Sequence, residues 1–457
     1  MASPAAGISP LMRRLSAYIG DALKRPLPAE IVERAKVHLV DTFAAMISGS
    51  RLVPGRKAAA YVKSLGGRPA AGVVGTGIVT SATNAALANG MSAHADETDD
   101  THPPSISHPG MAVVPAALAI AERQRLPGAA MLRAMVLGYD ICPRLVLALK
   151  PAALRRSGHY PVAFGAVFGA AAAAGALLKL DQPEIRSMLS YAAQQAAGLS
   201  AAHRDLEHVQ KAFAAAGMGA HNGTAAALMA AHGFTGVDDI LSGEEDFFDT
   251  FMPDSNRQEL TRGLGREYEI LRAGIKGFAA GGPIQGPLHV LQEMMRQHAL
   301  QVRQVAKLVA WMPDRELEVV SNRDMPDICV QHLLAVMLLD GDVTFASAHD
   351  SERMRDATVR AVRRRIETIG DPALTDPLRR WRCVMEITLK DGRKLRHQTM
   401  AAKGGLDHPL TRQEAAQKAL ALIAPILGKK RAQNLLAALW KVDRIKDMRS
   451  LRRFYSA

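Results

Sequence analysis

The chain has 457 residues, 48% of them hydrophobic and 22% charged, which exceeds the ~250–300 residues at which one core stops growing and excludes disordered, collagen-like and disulfide-scaffold classes. Its three cysteines, Cys142, Cys329 and Cys383, are too far apart for a CxxC pair, so neither a zinc ribbon nor a disulfide framework is expected and a cytoplasmic setting is. Lys and Arg number 57 against 44 Asp and Glu, a formal charge of +13, but few aromatics accompany Arg363-Arg364-Arg365 or Lys429-Lys430-Arg431, so a small anionic metabolite is expected as partner rather than nucleic acid.

In chain order, Met1–Arg14 has neither an apolar signal core nor a myristoylation glycine, so no export or lipid anchor is expected. From Ile31, apolar residues recur at Ala35, Leu39, Phe43, Met46 and Ile47, which predicts one buried helical stripe ending at Gly49. Further helices are predicted over about 82–95, 111–125, 128–149, 161–179, 183–198 and 209–232, many rich in Ala and Gly, so that axes approach closely. The segment 161–178 carries no charge but lacks Leu and Ile density and an aromatic belt. It is expected to be a buried central helix, with no membrane partner.

From about residue 270 the texture changes. Val305–Met312 and Glu316–Val320 are predicted as short strands, Ser351–Thr368 as a basic helix, and the alternating Trp381, Cys383, Met385, Ile387 and Leu389 as a strand. Asp391-Gly392 turns this strand into Lys394–Thr399 as a hairpin. Thr411 and Glu414 form a capping box at the start of a return to helix. The expected fold is therefore mainly α, a large all-helical domain at 1–271 with a smaller α+β domain at 272–404, and C-terminal helices at 405–457 that return to the first domain. Neither a dinucleotide fingerprint nor a Walker loop is present.

The densest polar run is Asn89 to Pro104, containing His94, Asp96, Glu97, Asp99, Asp100, Thr101 and His102, followed by His108-Pro109-Gly110. On a helix His94 would share a face with Glu97 and Thr98, placing carboxylate, imidazole and hydroxyl together as acid–base chemistry requires. The plainer reading is an acidic helix terminus with caps and an Asx turn. Metal-ligand spacings such as HExxH or an EF-hand do not occur, so no metal and no cofactor is expected.

This run, with Val113-Val114-Pro115, Gly158-His159-Tyr160-Pro161, Lys211-Ala212-Phe213, Asn222-Gly223 and Met337 to Gly341, resembles the MmgE/PrpD family, which includes dehydratases, decarboxylases and epimerases of small acids. The resemblance implies a helical domain with an α+β lid, a homodimer, and an active site between the domains. It places Glu97, where the family more often has Asp, with Thr101, His108, His159 and Lys211 at catalytic positions. It makes Lys276, Gln285 and His332 substrate-binding candidates on the lid. Three departures accompany it: Ala214 to Gly217 lack the histidine that commonly follows such a lysine, Gln285 stands at a lid histidine position, and His332 stands at a tyrosine position. Without the resemblance, His159 reads as a cap or core histidine and Lys211 as a solvated lysine with a buried stem. The implied activity is a lyase without cofactor, first a dehydratase of a di- or tricarboxylate acting by proton abstraction next to a carboxylate. The alternatives are an epimerase, a decarboxylase or a non-catalytic polycarboxylate-binding protein.

Overall fold

The computed structural model describes residues 7–457; Met1–Ala6, part of the stretch read for an export signal, lie outside the described residues. The fold is mainly α, with small sheets only. It divides into two compact units. One takes in the chain up to Ala95, Pro104–Arg272 and Ala415–Ala457; the other comprises Asp96–Pro103 and Ala273–Glu414.

The first unit is helical. Its long helices are Pro10–Gly20, Ala29–Gly49, Val53–Leu65, Ala82–Ala93, Gly110–Arg123, Gly128–Ala148, Pro161–Leu178, Gln182–Gln194 and Met218–Ala230, with Lys429–Trp440 near the C-terminus. A two-residue ladder, β1 Ala71–Gly72 with β2 Val79–Thr80, is antiparallel. The expected stripe on Ala29–Gly49 widens as the helix proceeds: from Val37 to Gly49 every residue is buried, because neighbours surround this end. Gly49 is there for close approach, since a Cβ on it would sit 1.9 Å from the Ser92 carbonyl oxygen. Pro161–Leu178, which by length and composition could cross a membrane, is buried from Pro161 to Leu177. It lies against Gly128–Ala148 and Met218–Ala230. A Cβ on Gly138 would come 2.9 Å from the Gly169 carbonyl oxygen, and one on Gly169 2.9 Å from that of Gly138. The Ala- and Gly-rich texture is thus what lets these axes meet.

Buried polar groups tie the unit together. Tyr18 donates to Asp140 Oδ2 at 2.5 Å, Glu269 N donates to Asp140 Oδ1 at 2.8 Å, and Arg144 faces Glu269 at 3.4 Å. Burial pushes the Asp140 carboxyl up to about 6. Near the C-terminus, Lys418 pairs with Asp41 at 2.7 Å, while Arg452 and Tyr455 both bond Glu122.

The second unit holds a four-stranded sheet in the order β4-β3-β5-β6: β3 Val305–Met312, β4 Ile366–Gly370, β5 Cys383–Leu389 and β6 Lys394–Thr399. β3 pairs parallel with β4 and antiparallel with β5, and the predicted hairpin of β5 and β6 turns at Gly392, φ +87. Helices Gln285–His298 and Val330–Asp340 bury their apolar faces with Cys383, Met385, Ile387 and Leu389 in one core. The capping box forms, with Thr411 Oγ1 accepting from Glu414 N at 3.3 Å and Glu414 Oε2 accepting from Thr411 N at 3.0 Å.

Two predicted elements differ. Glu316–Val320 is not a strand but belongs to helix Asp314–Val320. Its buried residues, Glu316 and Val320, are four apart, and Asp314 and Glu316 favour the positive end of a helix. The basic helix predicted at Ser351–Thr368 is confined to Ala357–Arg363, where Asp356 caps Thr358 N and Val359 N. Beyond it Ile366–Gly370 becomes β4, because pairing with the distant β3 outweighs the local helical pattern.

Candidate active site

In the helical unit three histidines from three chain segments converge. His94 follows helix Ala82–Ala93, its backbone N donating to Gly90 O at 3.2 Å, and its side chain is fully buried. His108 stands two residues before helix Gly110–Arg123 and is half-buried. His208 precedes the short helix Val209–Ala212 and is buried. The His94 ring lies 5.3 Å from that of His108 and 5.4 Å from that of His208, centroid to centroid, tilted 52° and 55°. Ligand atoms of His94 and His108, and of His94 and His208, come within 4.8 Å, a spacing suited to proton exchange and also to imidazole donors on a metal.

Lys211 lies in that short helix, half-buried, with its backbone N bonded to Asp205 Oδ2 at 3.2 Å. The helix then widens into a π turn at Phe213–Gly217 before Met218–Ala230 continues; such turns recur at functional sites. His159 occupies different surroundings. Its Nδ1 is 2.9 Å from Ser157 Oγ, and its ring meets Phe164 at 5.6 Å and Phe251 at 5.7 Å, both edge-on. Its backbone bridges Leu199.

In the second unit the acidic segment is folded inward. Asp96, Glu97, Thr98, Asp99, Asp100 and Thr101 are all buried. Asp96 Oδ1 accepts from Thr98 N at 3.0 Å, the expected Asx turn, and Thr101 pairs with Gly274 through both backbone groups at 2.9 and 2.7 Å. Glu97 has φ +60, a left-handed conformation that costs about 1 kcal/mol or more for a side chain with a Cβ. Lys276, fully buried, compensates: its Nζ donates to Glu97 O at 2.6 Å and Asp99 Oδ1 at 3.2 Å, and lies 3.9 Å from Glu97 Oε2. Burial works against the ammonium, but the charges of Asp99 and Glu97 outweigh it and hold the amine above its ordinary value.

Gln285 stabilises the loop after Lys276. Its Oε1 accepts from Phe278 N at 3.0 Å, and its Nε2 donates to Phe278 O and Ala280 O at 3.1 and 3.0 Å. His332 lies in helix Val330–Asp340, fully buried, and neither ring nitrogen has a hydrogen-bond partner among the described residues. Burial, then Arg363 and Arg353, lower it to about 4, so it is neutral at pH 7.

The MmgE/PrpD N-terminal domain matches residues 13–260 and the MmgE/PrpD C-terminal domain matches residues 278–443. The chain belongs to the MmgE/PrpD family. Similar proteins include the cis-aconitate decarboxylase-like protein oryM of Aspergillus oryzae, 30% identical over 291 residues covering 60% of this chain and 59% of that protein. A cis-aconitate decarboxylase of Aspergillus terreus is 28% identical over 289 residues, 60% of this chain and 57% of that protein. The cis-aconitate decarboxylase of Homo sapiens is 24% identical over 452 residues, 92% of this chain and 89% of that protein. The matches to the two Aspergillus proteins thus take in less than two thirds of each relative's length.

Within this MmgE/PrpD chain the structure groups the predicted residues unevenly. Glu97 and Lys276 meet directly, and Thr101 lies four residues along the same buried segment. His108 joins a cluster with His94 and His208, while His159 makes its ring contacts with phenylalanines. Sequence reasoning grouped His94 with Glu97 and Thr98 as material for acid–base chemistry but did not name it among the catalytic residues, and it missed His208. The available signal for His208 was its position three residues before Lys211.

Proposed function

We propose that this chain is a lyase acting on a small di- or tricarboxylic acid, moving a proton at a carbon next to a carboxylate. The observation that carries the reading is the His94 ring between His108 and His208, inside the span that matches the MmgE/PrpD N-terminal domain. Each imidazole has one nitrogen that can accept a proton and one that can donate it, so such a cluster can take a proton and pass it on. A cation that stabilises the charge developing on the acid supplies the rest of the barrier reduction. Lys211, on the short helix that His208 begins, is assigned that task.

Loss of carbon dioxide is the first form of this chemistry, because the relatives quoted above are named cis-aconitate decarboxylases or decarboxylase-like. The bond to one carboxyl carbon breaks, its electron pair passes into the carbon skeleton, and a proton is delivered there. Loss of water, which the sequence put first, uses the same proton carriers and is the second product to look for. The chain is further proposed to act as a cytoplasmic homodimer, which light scattering tests.

The deciding experiment incubates the protein with cis-aconitate and with citrate-, malate- and aspartate-like acids in deuterated water, followed by NMR and carbon dioxide release. Deuterium beside a carboxylate in a product is expected, and His94→Gln should abolish it. Calorimetric binding of these acids with neither exchange nor product would identify a polycarboxylate-binding protein instead.

A further inference from the structure

His208 adopts φ +60 and ψ 9, a left-handed conformation that few non-glycine residues occupy. Asp205 holds the turn: its carboxylate accepts the backbone N–H of Glu207 at 3.1 Å, of Lys211 at 3.2 Å and of Gln210. Ala212 N closes it by donating to His208 O at 3.0 Å. The imidazole is left 2% exposed, against the fully buried ring of His94.

The left-handed backbone does not itself call for a histidine here. Glycine would take φ +60 without strain, and leucine or phenylalanine would fill the space without burying a polar ring. On the other side of Lys211, Ala214, Ala215, Ala216 and Gly217 are buried in the π turn and carry no imidazole. The imidazole in this segment therefore comes from the residue before the short helix, and it faces His94.

We propose that His208 is a positioning residue for His94, fixing the tilt of that ring between two imidazoles and so the direction in which it exchanges a proton with the acid. Its catalytic consequence rests on the lyase reading; its effect on the His94 ring does not.

The test uses the full chain with ¹⁵N-labelled histidines and two variants. His208→Gly accepts the left-handed backbone and removes the ring, whereas His208→Phe keeps a ring of similar size. His94 ring-nitrogen signals, assigned by their loss in His94→Gln, are expected to shift in both variants while circular dichroism is unchanged. With the acid that the wild type turns over, kcat should fall about 10²-fold, the scale for a misplaced catalytic group, and KM should change much less. Free imidazole should recover part of the rate in His208→Gly but not in His208→Phe. Unchanged His94 signals in both variants would overturn the proposal, whether or not stability fell. If the wild type turns over none of the acids, the lyase reading fails alone, and the His94 signals still decide this one.

Discussion

The ammonium of Lys276 donates to the backbone carbonyl of Glu97 at 2.6 Å, so one buried lysine stabilises both the charge and the left-handed backbone of the acidic segment. Its reach to Asp99 Oδ1 at 3.2 Å makes the cluster a mutual arrangement. Removing the cation takes away a charge partner shared by two buried carboxylates, and removing a carboxylate weakens what holds the buried ammonium.

Lys276→Met should therefore destabilise the protein by about 3 kcal/mol or more, the range for breaking a buried ion pair from one side. Because folding raises the Lys276 pKa, the wild-type contribution is fully present below the ordinary lysine value and fades only as pH rises through the folded one. Urea unfolding at pH 7 checks this, and a midpoint equal to wild type would refute it.

The buried His332 makes the opposite kind of contribution. Its folded value is about 4 against an ordinary 6.5, so between these pH values the unfolded chain binds more protons and stability rises with pH. The gain is complete above about 6.5 and is lost as pH falls through 4. His332→Leu should flatten this part of the stability profile, measured by calorimetry at half-unit steps. A wild-type slope retained in the variant would show that another group is responsible.

Gly49→Ala should lower thermal stability by about 1–3 kcal/mol, as overpacking does, because its Cβ would meet the Ser92 carbonyl oxygen at 1.9 Å. Equal melting temperatures for wild type and Gly49→Ala would mean the two helices separate freely at this crossing.

For the water-loss form of the chemistry, Lys211→Ala should slow both hydrogen exchange into the substrate acid and product formation by about 10²–10³-fold, as for a preorganised electrostatic contact. Glu97→Gln should reduce product more than exchange if Glu97 acts after the first proton transfer. Parallel loss in the two variants would remove that ordering.

The sequence alone determined the helical first domain, the hairpin of β5 and β6, the Thr411 capping box and the family, because each is written in local periodicity, turn chemistry or short motifs. It also marked the segment from His94 to His108 as the polar centre of the chain. Tertiary structure decided what locality could not. Ile366–Gly370 leaves its helical pattern only because β3, some sixty residues earlier, offers hydrogen bonds. Position in the sequence made Gln285 and His332 binding candidates, and only the fold shows that the Gln285 amide bonds the backbone of Phe278 and Ala280 and that His332 is fully buried. The pairing of Glu97 with Lys276 joins residues 179 positions apart, and His94 meets His208 across a shorter but still long stretch of chain. Burial and charge compensation act through space, and no spacing in the sequence encodes which distant side chain will be there to provide them.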